Sequence, residues 1–302
     1  MEYNQRLITA PLGNCRAICG GSGVVSPDVS RLSVAVGTIL VAVTAVAFIT
    51  ATGAIDRGYG ARIGGLCLVA AVTLIAMFIQ TCANPGIIRK ERAAAAAGGA
   101  SPFSPAIIQV VKGYNVPMRF CNECGIYRPP RSSHCPLCGN CVDRFSHHCS
   151  MVGGCVGQNN YRWFLLTLLC VLVLAGTVLG LLGHFFYYSF AGTTVVRRLL
   201  AVLITVLAGS MVLFAGSTLV IHVQLMSRNV TAKEWSDFRR QQNTSSGGRW
   251  GDRARADEAT ELLQLYDEGC VVNVKEALRP SAHTLPKALA SLGSGDELIA
   301  VR

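Results

Sequence analysis

Four stretches of this 302-residue chain are apolar on every side and almost without charge, and no other feature constrains its fold as strongly. Leu32 to Ile55 and Ile63 to Ala83 contain no Asp, Glu, Lys, Arg or His. Trp163 to Gly192 carries only His184, and Leu199 to Met226 only His222. Each stretch exceeds the roughly 20 residues that a helix rising about 1.5 Å per residue needs to cross a bilayer core. A helix packed on a soluble core shows a polar stripe every 3.6 residues or so, and these stretches show none. The expected fold is therefore an all-α, multi-pass membrane protein with four transmembrane helices. Composition agrees: charged residues make up 15% of the chain, against about 25% in soluble domains. Residues 1–31 are too polar for a signal peptide, so the first stretch is expected to be retained as a span.

Lys and Arg set the expected orientation. Asn84 to Arg162 carries nine of them and the tail from Ser227 carries eleven, whereas the two short connections hold only Arg57 with Arg62 and Arg197 with Arg198. Basic residues concentrate on the cytosolic side. The reading is a cytosolic N-terminal segment 1–31, transmembrane helices 1 and 2 in 32–83, a cytosolic linker and Cys-rich domain in 84–162, helices 3 and 4 in 163–226, and a cytosolic tail 227–302. The net charge of +10 then marks the cytosolic face of a lipid bilayer, and no nucleic-acid partner is expected. On this reading Asn229-Val-Thr231 and Asn243-Thr-Ser245, glycosylation sequons by pattern, are chance matches. Lys90 to Ser101 reads as a helical extension or flexible linker, Gln241 to Asp252 as a loop, and Ala256 to Tyr266 as a short amphipathic helix.

Seven of the thirteen cysteines fall between Cys121 and Cys155, with His134, His147 and His148 among them. A cytosolic segment is kept reduced, so such a cluster binds metal or does chemistry rather than forming disulfides. Cys121-x-x-Cys124 and Cys135-x-x-Cys138 are knuckles able to grip one ion, and thiolate with imidazole points to zinc. Ten candidates close two four-coordinate sites with two groups left over, although counting alone does not say which two. A structural site needs no spare cysteine, so a leftover cysteine beside a leftover histidine suggests a nucleophile and its base. Cys149 and His147, two residues apart, share one side of an extended segment.

These residues resemble the DHHC-type protein S-acyltransferases (palmitoyltransferases). The resemblance rests on Cys121-x2-Cys124, Arg128-Pro129-Pro130-Arg131, His134-Cys135-x2-Cys138-x2-Cys141, Ser146-His147-His148-Cys149 and Cys155-Val156-Gly157-Gln158-Asn159-Asn160-Tyr161. Asn84-Pro85-Gly86 and Thr231-Ala232-Lys233-Glu234 match two flanking signatures in part. The resemblance places a cytosolic zinc-binding domain between helices 2 and 3. It implies one structural zinc on Cys121, Cys124, His134 and Cys141, and a second on Cys135, Cys138, His148 and Cys155. Cys149 is then the nucleophile that takes the acyl group from a fatty acyl-CoA co-substrate and passes it to cysteines of membrane-associated proteins, with His147 as base. The acyl chain is expected between the spans, in an endomembrane (ER or Golgi) or the plasma membrane.

The chain departs from the family pattern at several places. Ser146 stands where the family has the aspartate that orients the base. Ser150-Met151 replace Pro-Trp, Gly153-Gly154 replace two asparagines, Asn84 replaces an aspartate and Ala232 a threonine. The alternative these losses raise is a weak or inactive member acting as a zinc-containing membrane adaptor. Arg128 and Arg131 are candidates for holding CoA phosphates or for packing the knuckles. Glu234 reads as an anchor rather than a catalyst. Cys15, Cys19 and Cys270 read as acyl acceptors.

Overall fold

The computed structural model describes residues 13–18, 23–50, 59–88, 107–245, 264–279 and 299–300. Among the described residues, four helices are long and apolar enough to cross a membrane: α1 (Ser30–Thr50), α2 (Tyr59–Cys82), α3 (Tyr161–Tyr188) and α4 (Val195–Ser227). Two further helices follow, α5 (Ala232–Ser245) and α6 (Cys270–Leu278). The chain divides into two compact units.

One unit comprises residues 28–81 and 163–223. Its core is formed by Val46 and Ile49 of α1, Leu66 and Ala70 of α2, Leu174, Val178, Leu182 and Phe185 of α3, and Ala201, Ile204 and Ala208 of α4. Leu68, Phe78, Val206 and Leu213 point outward and are more than half exposed. In water such a surface would be a large apolar liability; against lipid it is matched to its surroundings. Several threonine hydroxyls inside the helices return to backbone carbonyls one turn earlier, as Thr73 does to Val69 (2.8 Å) and Thr205 to Ala201 (2.7 Å), which satisfies them without water. α4 begins at Val195, ahead of the apolar run that starts at Leu199, and so includes Arg197 and Arg198. Their guanidinium groups lie over the rings of Phe48 (5.0 Å) and Phe190 (5.3 Å), and Arg198 also donates to the Ala191 carbonyl (2.6 Å). Cation–π contact and a carbonyl acceptor let these charges stay within the helix.

The other unit comprises residues 1–27, 82–162 and 224–302. Among the described residues between α2 and α3 it is built from two-stranded antiparallel ribbons: β5 (Arg119–Cys121) with β6 (Ile126–Arg128), β7 (Ser133–Cys135) with β8 (Asn140–Val142), and β9 (His147–Cys149) with β10 (Gly154–Val156). β3 (Ile107–Val111) pairs with β4 (Tyr114–Pro117) and with β11 (Ile299–Ala300). An N-terminal hairpin joins β1 (Arg16–Ile18) to β2 (Gly23–Val25). The first two ribbons share one turn: Gly125 (φ +66°) donates to Cys121 O at 2.7 Å, and Gly139 (φ +64°) donates to Cys135 O at 2.8 Å. The left-handed position after each Cys-x-x-Cys is open to glycine without strain.

Asn84 caps the turn that follows α2. Its Oδ1 accepts from the N–H groups of Gly86 (2.9 Å) and Ile87 (3.1 Å), an Asx turn for which an amide oxygen suffices. That turn runs the chain beside β8, with Asp143 N–H donating to Gly86 O and Ile88 N–H to Cys141 O, both at 2.9 Å. Gly157 closes the same region. A Cβ there would lie 2.4 Å from Pro85 O and 2.6 Å from Val142 Cγ1. Gly157→Ala is therefore expected to destabilise this unit by about 1–3 kcal/mol through overpacking against backbone, measurable as a lower thermal midpoint; an unchanged midpoint would refute the close approach.

Gln241 to Asp252 was expected to be a loop, but α5 runs to Ser245. The Lys233–Asp237 ion pair, four residues apart, supports that helix (2.5 Å). The proposed segment Lys90 to Ser101 and most of Ala256 to Tyr266 lie outside the described residues.

Candidate metal centres and the His147–Cys149 strand

Strand alternation sorts the ligands. Successive residues of a strand face opposite sides, so His134 and Cys135 at the end of β7 turn to different clusters. His134 is cross-strand partner of Cys141, and both meet the knuckle of Cys121 and Cys124. The Nδ1 of His134 lies 3.6 Å from Cys121 Sγ, 3.3 Å from Cys124 Sγ and 3.9 Å from Cys141 Sγ. Cys135 and Cys138 meet a second cross-strand pair, His148 with Cys155. The Nδ1 of His148 lies 3.6, 3.4 and 3.6 Å from the sulfurs of Cys135, Cys138 and Cys155. Zn–S bonds of about 2.3 Å and Zn–N bonds of about 2.0–2.1 Å at tetrahedral angles separate ligand atoms by about 3.5–3.8 Å. The donor set and spacing of both clusters therefore fit a closed four-coordinate ion. All six cysteines are buried, and the two histidines are half-buried.

The same alternation leaves His147 and Cys149 on the side of β9 opposite His148. Cys149 is half-buried and carries a free thiol. Ser146 is 4% exposed, and its Oγ lies 3.1 Å from His147 Nδ1, where an orienting group would sit. Burial, and next to it the neighbouring His148, holds the His147 imidazole down at about 4. Gly153 sits at φ +66° in the β9–β10 turn, and asparagine, the family residue there, is the other side chain that tolerates this conformation. Met151, where the family has tryptophan, is 45% exposed.

Residues 115–239 match the DHHC palmitoyltransferase family. "Protein S-acyltransferase 8" of Arabidopsis thaliana is 29% identical over 267 residues, covering 78% of this chain and 64% of the relative. "Probable protein S-acyltransferase 2" of the same organism is 29% identical over 248 residues, covering 74% of this chain and 59% of the relative. Residues 115–239 are thus a DHHC palmitoyltransferase domain. "Palmitoyltransferase ZDHHC5" of Canis lupus familiaris is 36% identical over 127 residues, 41% of this chain and 17% of the relative. The chain spans about three fifths of the length of the Arabidopsis relatives it matches. Four membrane-length helices and this domain make the chain a multi-pass membrane protein.

A polar network that the motifs do not announce surrounds this family region. Arg131, at φ +67°, donates from Nε to Glu234 Oε1 (2.8 Å) and from Nη2 to Glu234 Oε2 (3.0 Å). It also donates to Asn229 Oδ1 (3.1 Å) and Asn229 O (2.5 Å). Its guanidinium lies 4.3 Å from the centre of the Tyr266 ring. With its side chain 6% exposed, Arg131 packs the fold and is not placed to meet CoA phosphates. Glu234 caps α5: its carboxylate accepts from Thr231 N–H (2.7 Å), and its own N–H donates to Thr231 Oγ1 (3.1 Å), a reciprocal capping box. Arg144 pairs with Glu276 of α6 (2.9 Å) and bonds Asn229 Oδ1. Asn229 Nδ2 donates to Tyr266 O and Glu276 Oε2, both at 2.8 Å. Asn229 is thus fully buried and cannot accept a glycan in the folded protein. Cys15 is buried too, against the second cluster, so it is no exposed acyl acceptor; Cys270 is exposed, and Cys19 lies outside the described residues.

Proposed function

We propose that this protein is a protein-cysteine S-acyltransferase using Cys149 as nucleophile and His147 as base. One observation carries the reading: two clusters take eight of the ten Cys and His side chains between residues 121 and 155, and His147 and Cys149 remain, two residues apart on β9. The eight residues would hold two zinc ions, Cys121, Cys124, His134 and Cys141 the first, Cys135, Cys138, His148 and Cys155 the second. Each set of four closes its ion, so the zincs supply folding energy and leave no position for substrate.

His147 takes the Cys149 proton, and the thiolate attacks the thioester carbonyl of a fatty acyl-CoA. The new C–S bond forms as CoA leaves as a thiolate, which recovers the proton from His147. In the second half, His147 takes the proton of a substrate cysteine. That thiolate attacks the acyl-Cys149 carbonyl, and Cys149 leaves and is reprotonated. Ser146 holds His147 through Nδ1 in both halves but brings no charge to the imidazolium. Substrates are cysteines of membrane-associated proteins. The Cys-rich unit and both termini face the cytosol, in an endomembrane or the plasma membrane, as the Lys and Arg distribution supports.

The test is incorporation of labelled acyl-CoA into purified protein. A hydroxylamine-sensitive adduct is expected on the wild type and is lost in Cys149→Ser. Ser146→Asp should raise the rate from a few-fold to about tenfold, the equivalent of ~1.4 kcal/mol of transition-state stabilisation. A wild type and a Ser146→Asp variant both at the Cys149→Ser level would defeat the enzymatic reading.

A further inference from the structure

The N-terminal hairpin lies outside the matched residues 115–239, yet it covers the second cluster. The N–H of Asn14 donates to Cys138 O (2.9 Å), and its Nδ2 donates to Leu137 O (3.1 Å). Gly13 sits so close to the knuckle turn that a Cβ on it would lie 2.4 Å from Gly139 O. Cys15 Sγ is 3.8 Å from Cys138 O. On the far side of the hairpin, Ser26 Oγ is 3.4 Å from Cys138 Sγ. Ser26 is 6% exposed, and Cys15 and Val24 share one apolar cluster with Cys135, Cys138 and Cys155.

A metal-bound thiolate is a buried anion, and the donors around it decide how well its charge is held. Facing such a thiolate, the Ser26 hydroxyl can only donate. We infer that residues 13–18 and 23–26 form the outer wall of the second metal centre, with Ser26 donating to the Cys138 sulfur and Asn14 and Cys15 fixing the Cys138 backbone. The inference rests on the metal reading proposed above. Its consequence is unequal retention, since the contacts of Asn14, Cys15 and Ser26 fall on the Cys138 knuckle that would hold the second ion.

The experiment measures zinc transfer from purified full-length protein to a chromogenic chelator, with thiol labelling to identify the sulfurs uncovered. The wild type should carry two zincs. In Ser26→Ala one zinc should leave about tenfold faster or more, uncovering Cys135, Cys138 and Cys155, while the other leaves at the wild-type rate. Ser26→Thr keeps the hydroxyl and should stay near the wild type. Cys15→Ala combined with Ser26→Ala should be the fastest. Wild-type release from Ser26→Ala, or equal acceleration in Ser26→Ala and Ser26→Thr, overturns the role of the hydroxyl while leaving the metal reading standing. A wild type that binds no zinc overturns both.

Discussion

Stripping the metal should unfold the Cys-rich unit and spare the long helices. The three ribbons that carry its clustered cysteines and histidines have strands of three residues, too short to hold a sheet alone. Its two apolar clusters consist largely of the ligands: Cys135, Cys138 and Cys155 in one, Cys121, Cys124 and Cys141 in the other. Few aliphatic side chains join them, chiefly Val24 and Val142 in the first and Ile88 and Ile126 in the second. Structural zinc supplies about 10–16 kcal/mol in small domains at neutral pH, as much as the whole net stability of a typical domain, about 5–15 kcal/mol. Chelation, or Cys138→Ala for the second centre, is expected to make the buried cysteines reactive to a thiol reagent and to remove the unit's thermal transition. Most of the far-UV helical signal should persist, because α1 to α4 hold no ligand. Cysteines that stay protected in metal-free protein would show that the fold does not depend on the ions.

The four spans were legible because a bilayer imposes one requirement, length without charge, and local sequence meets it or does not. The reading faltered where a charge is satisfied by its surroundings. Arg197 and Arg198 look like a break before Leu199, but two aromatic faces and a carbonyl keep them in α4. Gln241 to Ser245 looks like the start of a loop, yet continuing α5 costs little in a polar stretch without proline or glycine before Gly247.

The two Cys/His clusters were legible for a chemical reason: cysteine and histidine at knuckle spacing suit one tetrahedral ion, and the fold brings both sets of four together. The ribbons that carry them were not, since strands of three residues leave no readable period. The partners of Arg131 and Arg144 were hidden for another reason. Glu234 is 103 residues from Arg131, and Glu276 is 132 from Arg144; no local pattern joins them. Only the Thr231–Glu234 capping box could be read locally. The N-terminal hairpin gave no signal beyond Cys15, and its place against Cys138 emerges only from the fold.

Arg131→Ala should be the costliest single change away from the metal ligands. The guanidinium is nearly inaccessible and makes four hydrogen bonds, two to Glu234 and two to Asn229. Removing it leaves the Glu234 carboxylate partly buried without its cation, for which about 3–5 kcal/mol is usual. The carboxylate cannot escape easily, since it also caps α5 through Thr231. Glu234→Gln is the gentler probe, because glutamine can complete the same capping box while removing the charge. Burial alone would raise the Glu234 carboxyl, but Arg131 and the hydrogen bonds outweigh it and hold the group below its ordinary 4.5. A folded value below the unfolded one means the carboxylate stabilises the fold above the ordinary carboxylate range and loses that contribution as pH falls through the folded value. The stability gap between wild type and Glu234→Gln should therefore be widest near neutrality and narrow in acid. Denaturation of the detergent-solubilised protein as a function of pH measures it. An Arg131→Ala variant within about 0.5 kcal/mol of wild type, the range of ordinary surface substitutions, would mean that Asn229 and Tyr266 hold this junction without the ion pair.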